Sequence, residues 1–148
     1  MSPARAIAYG GLAVGVLDGL DAIIFFGLRS GVPPPRIFQS IAAGLLGRAS
    51  FQGGVATVIL GVLLHFTIAV TVVAVYSLAS RPLAFLTQRP LLWGPMYGIA
   101  VYLFMNHVVI PLSASGAGSP PLAVFLNGVL IHILGVGLPS ALFAARSQ

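Results

Sequence analysis

The chain contains no cysteine, no lysine and no glutamate, and its only acids are Asp18 and Asp21. Without cysteine there can be no disulfide, no thiolate metal ligand and no cysteine nucleophile, and the redox compartment leaves no mark. Charge of either sign is scarce. Only 6% of the 148 residues are charged, against about 25% in a soluble domain. A soluble fold of this size could not cover its surface with so few charges. Enzyme signatures are lacking too: there is no Walker loop, no Gly-x-Ser-x-Gly and no His-Glu-x-x-His. Gly10-Gly11 and its neighbours resemble a dinucleotide fingerprint only superficially, because no strand pattern precedes them. The chain is therefore not expected to be an enzyme, and no residue is assigned a catalytic role.

What is present is apolar. Hydrophobic residues make up 58% of the chain, and the mean hydropathy is +1.05. Four long apolar runs stand out, at about 7–28, 55–78, 91–112 and 122–145. Each matches the ~20 residues that carry a helix across the hydrocarbon core. The runs lack the period-2 alternation of barrel strands. Asp18 and Asp21 interrupt the first run and no convincing cleavage site follows it, so it reads as an uncleaved span rather than a secretory signal. The expected fold is an all-α membrane protein: a single domain over 1–148, built as a bundle of four transmembrane helices.

Proline and glycine punctuate this pattern. Ser30-Gly31-Val32-Pro33-Pro34-Pro35 ends the first span, Arg81-Pro82 and Arg89-Pro90 bracket the second connection, and Pro111, Gly116, Gly118, Pro120 and Pro121 mark the third. The first connection holds a segment, about 36–47, that is too short to span. Ile37, Phe38, Ile41 and Leu45 share one helical face, with Arg36 and Arg48 near its ends. It is read as a short interfacial helix or a re-entrant one; the bracketing arginines favour the interfacial reading.

The net charge of +5 comes from seven arginines. They are scattered singly, which argues against a nucleic-acid surface and for interface anchors in a lipid bilayer. Arg5, Arg81, Arg89 and Arg146 fall on the side of the termini, and Arg29, Arg36 and Arg48 on the other. The positive-inside rule then places both termini in the cytoplasm.

Small residues recur every fourth position at Gly11, Gly15 and Gly19, and again at Gly94 and Gly98. This spacing lets helix backbones approach closely, within the bundle or between copies. Gly61-Val62-Leu63-Leu64-His65 also echoes Gly128-Val129-Leu130-Ile131-His132, a hint of a duplicated two-helix unit.

The functional clue lies in polar residues at bilayer depth. Asp18, His65 and His132 fall near mid-span, with Asp21, Asn106 and His107 displaced by about one turn, ~5 Å, towards one face. An ionised Asp at the bilayer centre costs about 2.5–3.5 kcal/mol, so such residues need partners and are functional by default. Desolvation penalises the charged form of both Asp and His, so a pair of them can exchange a proton or hold a cation. The plain alternative is interhelical hydrogen bonding, at about 0.6 kcal/mol per contact. No cofactor is predicted, although His65 and His132 are compatible with two axial haem ligands, and Asp18, Asp21 and the histidines with a metal ion. The leading expectation is a proton- or cation-handling protein acting as a homo-oligomer. The alternatives are a non-catalytic accessory subunit of a membrane complex and an intramembrane haem or metal protein.

Ile37-Phe38-Gln39-Ser40-Ile41-Ala42-Ala43-Gly44-Leu45-Leu46-Gly47, Phe51-Gln52-Gly53-Gly54, Leu64-His65-Phe66 and Met105-Asn106-His107-Val108-Val109-Ile110-Pro111-Leu112-Ser113 carry a resemblance. Over nearly its whole length the chain resembles a family of small bacterial integral membrane proteins that cross the inner membrane four times. The family has no assigned activity. The resemblance implies the four-span architecture and a bacterial inner membrane, and it transfers no catalytic residue.

Overall fold

The computed structural model describes residues 1–116 and 118–147. Among them the regular structure is entirely helical. Four helices are long and apolar enough to cross a membrane: α1 (Pro3–Ser30), α3 (Gly54–Ala79), α5 (Pro90–Leu112) and α6 (Leu122–Ala145). The connections hold two shorter α-helices among the described residues, α2 (Pro34–Leu46) after α1 and α4 (Phe85–Gln88) after α3, and a 3-10 helix, Gly47–Gln52, follows α2. The protein is a multi-pass membrane protein with the expected four-helix architecture. Between 17 and 22% of the residues in the most apolar window of each span are buried, and the rest are half-buried or exposed.

Local chemistry explains the helix ends. Pro3 opens α1 where a missing N–H costs nothing, and Ser2 accepts a bond from the Arg5 amide. At the other end Gly31 takes φ 65°, and the Gly31 and Val32 amides close on the Gly27 and Phe26 carbonyls. That left-handed cap is open to glycine at no steric cost. Inside the spans, Pro111 and Pro139 have a second effect. Each follows a π-helical turn by two residues, Met105–Val109 in α5 and His132–Gly137 in α6. A proline removes one donor and crowds the carbonyl a turn before it, and widening the preceding turn relieves both problems.

Glycines set the helix contacts. Gly11 and Gly15 of α1 lie against Val70 and Phe66 of α3, and Gly19 lies beside His65. Gly94 and Gly98 of α5 lie against α6, where a Cβ at Gly98 would fall on the His132 carbonyl. The glycine faces are thus used within one chain, where backbone approach supplies the packing that lipid cannot drive. Helix α6 contacts α1, α3 and α5, whereas α3 and α5 are tied by side chains. Tyr97 donates to the Val72 carbonyl at 2.7 Å, and its ring meets Tyr76 edge-on.

Helix α2 differs from the expectation in its surroundings. Ile37 is buried and Phe38 and Ile41 half-buried against the bundle, while Leu45 and Leu46 are exposed. The apolar face therefore turns mainly onto protein rather than lipid. Phe38 reaches Gly61, two turns into α3, where no side chain blocks it. A buried polar latch holds this placement. Gln39 Nε2 donates to Thr57 Oγ1, Thr57 Oγ1 donates to the Ser50 carbonyl, and Ser50 Oγ donates to the Gln39 carbonyl. At the far end of α2 the Ala114 amide bonds the Gly44 carbonyl at 2.9 Å, joining it to the segment after α5.

Candidate functional site

The four spans line a cavity of about 740 Å³, with α2 and the turn at Gly47 and Arg48 around its mouth. Asp18 from α1, His65 from α3, Asn106 from α5 and His132 from α6 all line it. The two residues from α5 and α6 sit on the π-helical turns. A widened turn shifts the facing of the residues around it, which is why such turns gather at functional sites. Beyond the polar layer, towards the termini, the interior closes. Val14, Ala69, Val73, Val101 and Val136 form one buried apolar cluster, and Tyr76, Ala141 and Ala144 form a second beneath it. The cavity is thus open from the α2 side and stopped by an apolar plug.

His65 is held by a bond across helices. Its Nε2 lies 2.8 Å from the Gly15 carbonyl. A carbonyl only accepts, so Nε2 carries the hydrogen and the neutral ring leaves Nδ1 as an acceptor. Nδ1 faces Asp18 Oδ2 at 3.9 Å. That is too long for a direct hydrogen bond, but a small side-chain rotation or one bridging water closes it. The arrangement fixes the tautomer and turns the free Nδ1 acceptor towards the Asp18 carboxyl. Gly15 makes this possible twice over, by leaving room for the Phe66 ring of α3 beside His65 and by supplying the acceptor.

The remaining expected site residues divide. Asn106 donates to the Tyr102 carbonyl at 2.9 Å and stays at the cavity wall. His132 Nδ1 bonds the Gly128 carbonyl of its own helix at 2.8 Å, with its ring edge-on to Tyr102. Asp21 is off the cavity lining. Its Oδ2 accepts from Asn127 Nδ2 at 2.7 Å, which ties α1 to α6, although it remains within electrostatic reach of Asp18 and His132. His107 does not join the site. It is exposed and bonds the Leu103 carbonyl of its own helix. Adjacent residues on a helix point about 100° apart, so Asn106 and His107 cannot both face inward, and Asn106 does.

The echoed Gly-to-His segments are not equivalent in detail. Gly61 admits the α2 backbone, while Gly128 admits the Tyr102 ring. His65 bonds across helices, while His132 bonds within its own. The paired haem geometry also fails to fit. Two axial ligands need ring nitrogens facing one iron, yet His65 commits Nε2 to Gly15 and turns Nδ1 to Asp18. Among the described residues no group of three His or Asp side chains gathers closely enough to hold a metal ion.

Two residues of the site escaped the sequence reading. Asn127 is the partner of Asp21, and an amide in an apolar run five residues before His132 was a signal for it. Arg48, expected only as an interface anchor, also lines the cavity mouth. Its neighbours in sequence gave no hint of that. Comparisons of the chain with family models, with curated proteins and with solved structures each found no match.

Proposed function

We propose that this protein handles protons or a small cation in a bacterial inner membrane, with Asp18 as the exchanging group and His65 as its partner. One observation carries the reading: an acid and an imidazole with a fixed tautomer face each other, 3.9 Å apart, in a cavity stopped by an apolar plug. Hydrogen bonding alone would require neither a cavity nor an acid. Asp and His at such depth mark ion and proton pathways. The four spans of one chain complete the site. The scattered arginines support placing both termini in the cytoplasm, and the cavity then opens to the periplasm.

The test is proton flux into liposomes loaded with a pH-sensitive dye and driven by a potassium diffusion potential. The wild-type protein should conduct above the protein-free rate. Asp18→Asn should remove that flux while keeping the gel-filtration profile. Equal flux in the variant would reject Asp18 as the exchanging group. Purification in mild detergent separates this reading from an accessory subunit, which would bring partners with it.

A further inference from the structure

The cavity is far larger than a proton path requires. A relay needs only side chains and waters within hydrogen-bond reach of one another. At about 740 Å³, this space falls within the ~300–1,000 Å³ that bury a drug-sized molecule. Its walls are largely apolar, with Val14, Ile68, Val101, Met105 and Val136 among them. Met105 adds a flexible, polarizable side chain that adapts to irregular shapes. Apolar walls with a few placed polar groups are the usual make-up of a small-molecule site.

The charges select the ligand. Among the described residues, the side chains with formal charge that line the cavity are Asp18 and Arg48. Arg48 is exposed at the mouth, where water and headgroup phosphates screen it. Asp18 lies deeper, on α1 among apolar walls, where an opposite charge is felt far more strongly. His65 and His132 face the same space and accept hydrogen bonds when neutral.

We propose that the cavity binds an organic cation with an apolar body, which pairs with Asp18 and exchanges against the proton held between Asp18 and His65. The proposal rests on the reading of Asp18 as the exchanging group. The balance is simple: the cation enters, the carboxylate replaces the carboxylic acid, and one proton leaves. The titratable and charged groups around Asp18 are His65 on α3, His132 on α6, Asp21 on its own helix and Arg48 at the mouth, while α5 contributes the uncharged Asn106.

The probes are tetraphenylphosphonium and the smaller tetraethylammonium, which carry permanent charge and no proton. Binding is measured by equilibrium dialysis on the protein in nanodiscs, with proton release followed in weak buffer. Saturable binding with about one proton released per cation is expected, following from a single exchanging acid. Asp18→Asn should weaken binding at least about tenfold, the loss of one low-dielectric charge pair. Ile68→Trp should block binding by filling the space without touching the acid, and it keeps the test decisive if Asn at position 18 fails to fold. Arg48→Gln should speed binding, because it removes a like charge from the entrance. Failure of both probes to bind saturably, with proton flux intact, overturns this proposal and leaves the proton reading standing. Absence of both binding and flux rejects the two together. Binding that survives Asp18→Asn at full strength also overturns it, since the cation would then be held by lipid or by the apolar walls alone.

Discussion

The two halves of the bundle are built on opposite principles. Towards the termini, side chains close the interior: Val73 and Tyr76 are almost wholly buried, and Tyr97 bridges α3 and α5. Towards α2, the same helices leave a cavity with polar groups on its walls. Each span contributes to both halves, so the difference lies in a few residues rather than in whole helices. On α3 it is His65 against Val73, and on α1 it is Asp18 against Ala6. The apolar half gives the packing that allows the polar half to keep an acid at a depth where lipid penalises it. A protein built only to hold four helices together would have no need of the second half.

The comparison can be broken in several ways, beginning with the severest. Gly98→Val should disrupt both halves, because a side chain there meets the His132 carbonyl at the α5–α6 seam. Overpacking of this kind costs about 1–3 kcal/mol and sometimes more; loss of a monodisperse gel-filtration peak is the expected readout. The native absence of cysteine offers a cleaner probe. Ile68→Cys, at the cavity wall, should react with a membrane-impermeant maleimide added on the α2 side, while Val73→Cys in the plug should stay unlabelled. Equal labelling would mean that the plug does not seal.

Smaller effects sharpen the same contrast. His65→Phe should suppress proton flux while costing only the interhelical bond to Gly15, about 0.6–1.7 kcal/mol in thermal unfolding. Tyr97→Phe should do the reverse. It removes the bond to the Val72 carbonyl at a similar cost in stability but leaves flux near the wild-type rate. His107→Ala should change neither, because its side chain is exposed and bonded only to its own helix.

The spans were legible because apolar length alone dictates them, and the structure extends the first only to Pro3–Ser30. The glycine faces were legible as well, since close helix approach leaves a four-residue spacing. Asp18, His65 and His132 could be placed by depth and by facing from regular helical geometry, and Asn106 by depth alone. His107 could not, because an adjacent pair gives depth but not the choice of which member turns inward. The π-helical turns were hidden for a related reason. Pro111 was read as the end of a span, and Pro139, deep in the fourth, was passed over. Both π-helical turns depart from the regular period that sets the facing of side chains on a helix. The latch of Gln39, Ser50 and Thr57 was invisible because it joins three elements whose mutual approach only the fold determines.

The central claim is that the acid in the cavity, and not the acid beside it, carries the exchange. Asp18 and Asp21 lie three residues apart on one helix, yet one faces the cavity and the other is bound to Asn127. The decisive measurement compares proton flux in liposomes for Asp18→Asn and Asp21→Asn side by side. The account predicts that flux is lost in the first and kept within a few-fold in the second. Loss in the second with survival in the first, or conduction by both at the wild-type rate, would contradict it.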